Sequence, residues 1–418
     1  MGPIIIFDKS ALQSISLDES VFLQNFFLTN MTPIFLIETL ADLEKEPNKG
    51  KSPEQIVGEL ANKTPEMGIM PNIYHHNLVI GDLLGRTVEM SRRPIIDGGT
   101  PKITPDGKIG FYFDEPPEKK ALKRWQDRKF LEVERDYARE WRQSLSNLSF
   151  ETQMGMVKNI VPPEVHFSNL SDIKAFIDKF IATKDKSVLD LAFEILEVPS
   201  KLRTFVYERW NKDGQPPINI FSPYASFVLS VDLVFYLGLN SSFISKDRPS
   251  NKIDLSYLYY LPFCMVFVSK DKLHQRTVPL FLKEGQVFVW GDDFKEGMKE
   301  LDNYFSQYQE EISKHGLIRF APYPPQNSFI SKLWDTMGSK WRGDASKAPL
   351  AKSFPTLPND SSLVKRLNKM RDEAKPLANP ELYSPDDADH VTISHMVHLN
   401  KGKWRILPEG IENNGDKD

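Results

Sequence analysis

Residues 253–271 read IDLSYLYYLPFCMVFVSKD and contain two structural elements. Asp254 opens a segment that suits a short helix, because Asp is favoured at the N-cap and in the first turn. Pro262 interrupts that segment, and 263–268 is a continuous apolar run typical of a strand buried on both faces of a parallel sheet. Asp271 follows the strand, 17 residues after Asp254. Ligands bind at the carboxyl ends of parallel strands, so the two acids are candidate ligands for a hard cation.

The composition bounds the class of protein. The chain has 418 residues, of which 40% are apolar and 26% charged, as in ordinary globular proteins. We predict neither a membrane span nor a signal peptide, since no run of about 18 apolar residues occurs and the chain begins with a short strand pattern. The single Cys264 cannot form an internal disulfide, which favours a reducing, cytoplasmic location. A net charge of −4 predicts no general attraction to nucleic acid, so such binding needs a local basic patch.

Two further acids follow apolar runs near the start of the chain. The run PIIIF at 3–7 predicts a buried strand, and Asp8 comes directly after it. Helical spacing favours a helix over 18–30. Residues 33–37 predict either a strand or the start of a buried helix, and the pattern continues into a helix that carries Glu38.

These patterns predict an α/β fold with a parallel sheet flanked by helices. We expect 4–7, 263–268 and 286–290 to be neighbouring parallel strands, because they are short apolar runs separated by helical segments. An amphipathic helix is expected from the end of the last strand to about residue 312. A short helix within 254–261 should precede the strand at 263–268.

The order of these elements resembles the PIN-domain ribonuclease family. The resemblance rests on the FDKSAL sequence at 7–12, the early helix with Glu38, and the segment from Asp254 to Asp271, about a quarter of the chain. It implies that four carboxylates converge on Mg²⁺ or Mn²⁺: Asp8, Glu38, Asp254 and Asp271. Ser269 matches the small hydroxyl residue that is common two positions before the last Asp. Ser10 and Ser269 are expected to hydrogen-bond the carboxylates.

The chemistry expected of such a site is hydrolysis of a phosphodiester. Clustered carboxylates repel one another and stay ionised only with cations among them, and Mg²⁺ or Mn²⁺ can activate a water for attack at phosphorus. We therefore expect a metal-dependent endonuclease, with RNA as the most plausible substrate. The alternative is a PIN-like protein without catalysis that serves as a binding or scaffold protein. An aspartyl-phosphate phosphatase built on Asp8 is disfavoured, because its usual second acid is replaced by Ser10.

The chain departs from a simple PIN domain by the 215 residues between Glu38 and Asp254. We expect a nuclease body from 1–46 and 215–312, with an inserted, mostly helical region at 47–214 whose family is not recognisable. Part of that region must return to the sheet as its third strand.

Two patterns stand out within 47–214. A small hairpin is predicted within 94–113, where Pro105-Asp106-Gly107-Lys108 gives a turn signal. A long charged helix is predicted over 118–148. Its nine Lys and Arg residues include three candidate RNA contacts: Lys123, Arg128 and Arg135. Five acids lie among these basic residues, so a solvated helix is the alternative.

The C-terminal region, 313–418, is rich in proline and polar residues. We predict an extended tail that wraps the body or contacts another subunit or protein partner, with helix at 361–374. Residues 391–397 and 403–407 are predicted to pair as a terminal hairpin around Asn400-Lys401-Gly402. The histidines lack the paired spacing of a zinc site and are read as ordinary surface or core residues: His75, His76, His390, His395 and His398.

Overall fold

A parallel sheet forms the centre of the protein in a computed structural model. The structure describes residues 2–47, 50–96, 98–103, 107–113, 115–147, 149–337, 375–376, 390–393 and 398–407. The strands within these ranges are β1 (Ile4–Phe7), β2 (Leu28–Met31), β3 (Ile69–Pro71), β4 (Thr100–Ile103), β5 (Ile109–Phe113), β6 (Val266–Ser269), β7 (Val287–Trp290), β8 (Lys375–Pro376), β9 (His390–Ile393), β10 (Asn400–Lys401) and β11 (Trp404–Arg405).

Helices cover both faces of this sheet. They are α1 (Lys9–Ser14), α2 (Leu17–Phe26), α3 (Pro33–Leu40), α4 (Pro53–Lys63), α5 (His75–Leu83), α6 (Pro117–Gln126), α7 (Glu132–Ser146), α8 (Glu151–Lys158), α9 (Leu170–Ile181), α10 (Lys186–Ile195), α11 (Ser200–Lys212), α12 (Ile218–Phe221), α13 (Pro223–Asn240), α14 (Asn251–Ser256), α15 (Lys272–Thr277), α16 (Gly291–Ser306), α17 (Gln309–His315), α18 (Leu317–Phe320) and α19 (Phe329–Thr336). Short 3₁₀ turns follow α3 at Ala41–Glu44, α14 at Tyr257–Phe263 and α15 at Val278–Leu280.

The main sheet has the strand order β3-β2-β1-β6-β7, and all its pairs are parallel. The predicted neighbours are confirmed: Ile5 pairs with Val266, which in turn pairs with Val287. β1 and β6 are buried along their whole length, as their continuous apolar sequences predict. The α/β fold class is therefore confirmed, and the carboxyl ends of β1 and β6 lie side by side.

The N-terminal region contains a strand that the periodicity misplaced. The helix predicted over 18–30 ends at Phe26, and Leu28–Met31 is β2, between β1 and β3. Residues 33–37 are then the start of helix α3 rather than a strand. Thr32 caps that helix by accepting from the Phe35 N–H, and Pro33 occupies its first turn.

The segment between Glu38 and Asp254 contributes to the sheet and surrounds it. Its strand β3 forms one edge, beside β2, as the sequence requires of the third strand. The predicted hairpin is confirmed as the antiparallel pair β4 and β5.

The predicted long helix is wrong: α6 and α7 are separate. Helix α6 ends in a Schellman motif: Arg128 adopts a φ of 59°, and the Lys129 N–H donates to the Arg124 carbonyl.

The apolar helix α13 is the core helix of this region. It is long and apolar enough to cross a membrane, but 83% of it is buried within the fold, which is the environment of a core helix. Pro223 stands in its first turn. The Ser222 side chain does not cap the helix. The carboxylate of Asp82 caps it instead, accepting from the N–H groups of Tyr224 and Ala225, each at 2.9 Å.

The C-terminal region pairs differently from the prediction. Asn400–Lys401 pairs with Trp404–Arg405, whereas His390–Ile393 joins β5 in parallel, so the hairpin between 391–397 and 403–407 is wrong. Trp404 is fully buried and packs its ring 5.7 Å from that of Phe22, which supplies the physical reason for the local turn. The helix predicted at 361–374 lies outside the described residues.

Candidate active site

Four acids approach one another at the carboxyl ends of β1 and β6. Asp8 follows β1 and caps α1, and Asp271 follows β6 and caps α15. Glu38 projects from α3, and Asp254 lies in the first turn of α14, which begins three residues earlier than predicted, at Asn251. The charges of the other three acids all act on the carboxyl of Asp254. The other three acids therefore lie within electrostatic range of Asp254, but the four acids differ in their partners.

Asp8 is almost fully buried and accepts a full set of hydrogen bonds. The Ala11 N–H donates to its Oδ1 at 2.8 Å, the Ser10 hydroxyl contacts both oxygens at 2.8 Å, and the Ser269 hydroxyl donates to Oδ2 at 2.6 Å. Both serines thus take the positions predicted for them. Ser10 also accepts from the Lys270 N–H, at 3.1 Å, so it joins the ends of the two strands.

His274, on α15, is buried behind this arrangement. Its Nδ1 lies 2.7 Å from Ser269 Oγ and 3.5 Å from Asp8 Oδ2, while its Nε2 lies 2.6 Å from the Asp254 carbonyl oxygen. The carbonyl only accepts, so Nε2 carries a proton. Ser269 also accepts from the Asp271 N–H, at 2.9 Å. The Ser269 hydroxyl has one proton, which it can donate either to Asp8 or to an unprotonated His274 Nδ1. Every group therefore has a partner only when His274 Nδ1 is protonated and donates to Ser269.

The electrostatics agree with a protonated His274. Burial alone would lower its pKa, but the hydrogen bond and charge of Asp8, followed by those of Asp254, raise the pKa to about 9. Burial alone would raise the pKa of Asp8, but His274, Ser269 and the Ala11 N–H hold it below its ordinary value. Asp8 and His274 therefore form a buried ion pair bridged by the Ser269 hydroxyl.

Glu38 also has an internal cation. The Lys9 ammonium lies 3.1 Å from Glu38 Oε1 and 3.1 Å from Asp42 Oδ1, and only 8% of the Lys9 side chain is exposed. Burial alone would lower the Lys9 pKa, but the charges of Glu38 and Asp42 raise it. The Tyr257 hydroxyl donates to Glu38 Oε2 at 2.7 Å. Glu38 is thus held by a cation and a hydroxyl.

Neither Asp254 nor Asp271 forms an ion pair with a cation among the described residues. The Asp254 carboxylate accepts no hydrogen bond from the part of the chain that the structure describes, and Asp271 accepts one, from the Leu273 N–H. Burial raises the pKa of Asp254 to about 7. The charge of His274 opposes this rise, and the charges of Asp271, Glu38 and Asp8 add to it. We call Asp8 and Glu38 the paired half of the acidic cluster, and Asp254 and Asp271 the open half.

The open half decides how a metal could fit. Among the described residues, no group of three or more His, Cys, Asp or Glu side chains is arranged to hold a metal ion. Zinc, which takes three or four protein ligands, therefore does not fit. Mg²⁺ usually keeps several waters and takes one or two carboxylates together with substrate phosphates. The two half-buried carboxylates of the open half fit that requirement.

Comparison with known proteins found no similarity. No family model, no curated protein and no solved structure gives a significant match.

Sequence reasoning missed the internal cations. The sequence patterns predict no role for Lys9, between Asp8 and Ser10, or for His274, three residues beyond Asp271. A signal was available for Lys9, because a charged residue in the first turn after a buried strand must find a partner. For His274 the i,i+3 spacing from the N-cap Asp271 places its ring on the inner face of α15, where Phe267 packs edge-on at 5.2 Å.

The predicted nucleic-acid contacts divide into paired and unpaired cations. Lys123 lies 3.0 Å from Glu115 and Arg135 lies 2.9 Å from Glu54, so both already have carboxylate partners. Arg128 is exposed at the end of α6 and forms no ion pair with a described residue. Of the histidines, His75 lies in a cleft, the exposed His398 contacts Glu66, and the side chains of His390 and His395 lie outside the described residues.

Proposed function

We propose that the protein is a metal-dependent nuclease of PIN-like architecture, with RNA as its most plausible substrate and Mg²⁺ or Mn²⁺ as its cofactor. One observation carries the proposal: four carboxylates from four separate elements approach one another at the edge of the sheet where ligands bind. Burial, together with the charges of the other three acids, raises the pKa of Asp254 to about 7. Such strain is relieved by a bound cation.

Asp254 and Asp271 would hold the ion in this proposal. A divalent metal would supply an activated water and neutralise charge on the phosphoryl oxygens. Without a metal, a carboxyl with a pKa of about 7 can hold or release a proton at neutral pH, the range that suits a general base.

The paired half has a positioning role. Lys9 and the Tyr257 hydroxyl fix both oxygens of Glu38, and Ser10 and Ser269 fix both oxygens of Asp8. These contacts hold two negative charges close to the open half without consuming its free oxygens. The Lys9–Glu38 ion pair also leaves room for water beside Glu38, whose side chain is 25% exposed.

A second candidate function is a binding or scaffold protein without catalysis. It is favoured by the internal cations: Lys9 and His274 neutralise two of the four acids, which is how a fold can keep an acidic cluster without metal. In that case the acidic cluster has only a structural role, and partners would bind elsewhere on the surface of the protein.

A nuclease assay separates the two functions. Single-stranded and structured RNA and DNA should be incubated with Mg²⁺, with Mn²⁺ or with chelator. We expect metal-dependent cleavage that is lost in Asp271→Asn, a variant that keeps the shape of the side chain but removes its charge. Asp292→Asn is the matched control, since Asp292 stands beyond the next strand, β7, and is already paired with Lys270 at 2.5 Å. Cleavage by neither wild type nor control under any of these conditions would reject the nuclease and leave the scaffold.

A further inference from the structure

A cleft of about 310 Å³ lies beside the acidic cluster, within the size range of small-molecule sites. It is assembled from α3, α5, α7, the end of α10, α13 and the α14 region, so most of its walls come from the chain between Glu38 and Asp254. The acidic cluster does not use this cleft. Its lining therefore calls for a separate explanation.

Aromatic rings form part of the wall of the cleft, beside aliphatic side chains. The His75 ring lies 4.5 Å from both the Tyr74 and the Tyr259 rings, and Trp141 and Tyr236 also line the cleft. Tyr74 is 43% exposed, so part of its ring is available to a ligand. Burial, with the charges of Lys252 and His76, lowers the His75 pKa to about 3, so that ring is neutral at physiological pH. The lining favours a flat, uncharged group that stacks on rings.

A cationic ligand is disfavoured because a lysine of the protein already fills the cation site. The Lys252 ammonium pairs with Asp232, lies 2.8 Å from the Tyr259 hydroxyl and sits over the Tyr236 ring at 5.2 Å. A phosphate is disfavoured as well, since Asp232 and Glu197 both line the cleft. An uncharged planar ligand with hydrogen-bond donors fits these charges.

Glu197 supplies the acceptor for such donors. It stands just past α10 with a φ of 54°, and the following Val198 N–H bonds the Phe193 carbonyl at 2.8 Å. Glycine is usual at this position, and a side chain there is strained. The Glu197 carboxylate is exposed, and after burial its charge contributes to raising the pKa of Tyr74 at the mouth of the cleft.

The cleft and the acidic cluster share two helices. Ile34 lines the cleft and Glu38 belongs to the cluster, and residues four apart on α3 lie on one face about 6 Å apart along the axis. On α14, Ile253 lines the cleft and its neighbour Asp254 faces the cluster. A nucleotide whose phosphate lies at the acids can thus reach the cleft with its base.

We propose that this cleft binds one nucleobase of a single-stranded nucleic acid, with a preference for guanine. Guanine presents two adjacent N–H donors on its Watson–Crick edge, which match the two oxygens of the Glu197 carboxylate, while its rings stack on the aromatic walls. The strand-binding part of this inference rests on the proposed nuclease function. The recognition of the base does not.

Free nucleosides test the cleft without a phosphate and without metal. Guanosine, adenosine, cytidine and uridine should be titrated into the protein in chelator and followed by NMR. We expect guanosine to bind most tightly. Tyr74→Ala should weaken binding by about 5- to 100-fold, the range for loss of one stacking partner. Tyr304→Ala, at a tyrosine of similar exposure on α16, is the control and should bind as wild type.

Glu197 variants test the preference and the strain together. Glu197→Gln should bind guanosine no better than adenosine. Glu197→Gly should also lose the preference, yet raise Tm by about 1–3 °C because the strain is relieved. The control is Gln215→Gly at another exposed position with a φ of 56°, which should raise Tm equally and leave binding unchanged.

The outcomes separate the cleft from the proposed nuclease. Selective guanosine binding in a protein that cleaves nothing would keep the cleft and reject the nuclease. Cleavage with the same base preference in wild type and Glu197→Gln would keep the nuclease and overturn the cleft. Absence of binding by every nucleoside, or unchanged binding by Tyr74→Ala, would also overturn it.

Discussion

The two halves of the acidic cluster differ in what neutralises them. Asp8 and Glu38 each have a buried cation of the protein within 3.5 Å, namely His274 and Lys9. Asp254 and Asp271 have none among the described residues and remain half-buried. Acids at one edge of a sheet therefore need not have the same role. Two are fixed by the fold, and two are left in a state that a ligand can relieve.

The largest loss of stability is expected when an acid of the paired half loses its buried cation. Lys9→Met leaves Glu38 without its ammonium, whereas Asp42 keeps Lys45 at 2.5 Å, so we expect a cost at the lower end of the about 3–5 kcal/mol for a broken buried pair. Urea denaturation at pH 7 measures the loss in free energy of unfolding. Lys51→Met is the control, since its partner Glu59 and Lys51 itself are about half exposed, and it should cost less than about 1 kcal/mol. A loss of similar size in both variants would show that burial of the pair is unimportant.

The next effect is a pH dependence that comes from His274. Its pKa of about 9 in the folded protein exceeds the ordinary 6.5, so the folded state binds this proton more tightly. The resulting stabilisation is complete below pH 6.5 and disappears as the pH rises through 9. We expect wild type to lose about 2–3 kcal/mol over this window. His274→Gln should be flatter over the same window and less stable at pH 6. An identical pH profile for the two proteins would contradict the ion pair with Asp8.

The open half should respond in the opposite direction to substitution. The Asp254 pKa is about 7 in the folded protein and 3.8 ordinarily, so wild-type stability falls as the pH rises from about 4 to 7. Asp254→Asn should therefore be more stable than wild type by about 1–2 kcal/mol at pH 8 and gain nothing at pH 4. Asp8→Asn should instead destabilise the protein at pH 8, because it leaves His274 without its anion. Thermal unfolding at both pH values measures this difference, and destabilisation by both variants would remove the distinction between the halves.

The smallest expected effect is a change in the salt dependence of nucleic-acid binding, which distinguishes paired from unpaired cations. If nucleic acid lies along α6, Arg128→Gln should lower the slope of log affinity against log salt by about one, since Arg128 has no carboxylate partner among the described residues. Lys123→Gln and Arg135→Gln should change the slope less, because Glu115 and Glu54 already hold those cations. Equal slopes for wild type and all three variants would assign these cations to structure alone.

Much of the fold could be predicted from local pattern. β1 and β6 were evident because continuous apolar runs report burial on both faces of a strand. β2 was missed, since LTNM at 28–31 has little apolar pattern and owes its conformation to pairing with strands on both sides. The break between α6 and α7 was missed for a similar reason, because an arginine at a φ of 59° carries no glycine signal.

The sequence pointed to the four acids, but it did not reveal the cations that neutralise two of them. The resemblance to the PIN-domain family implies that Asp8, Glu38, Asp254 and Asp271 converge. The partners of these acids depend on where α1 and α15 pack, which brings Lys9 to Glu38 and His274 to Asp8. The cleft containing Tyr74 and Glu197 was equally out of reach, because its walls come from six elements distant in sequence.

The central claim is that the open half is the part of the cluster that takes a cation. Its most direct measurement is thermal unfolding in metal-free buffer against increasing Mn²⁺, for wild type, Asp254→Asn and Asp271→Asn at pH 7.5. We predict that wild type gains stability, by about 2.7 kcal/mol at 100 times the dissociation constant. Asp271→Asn and Asp254→Asn should gain less at every Mn²⁺ concentration. Equal gains in all three proteins, or no gain in wild type, would contradict the account.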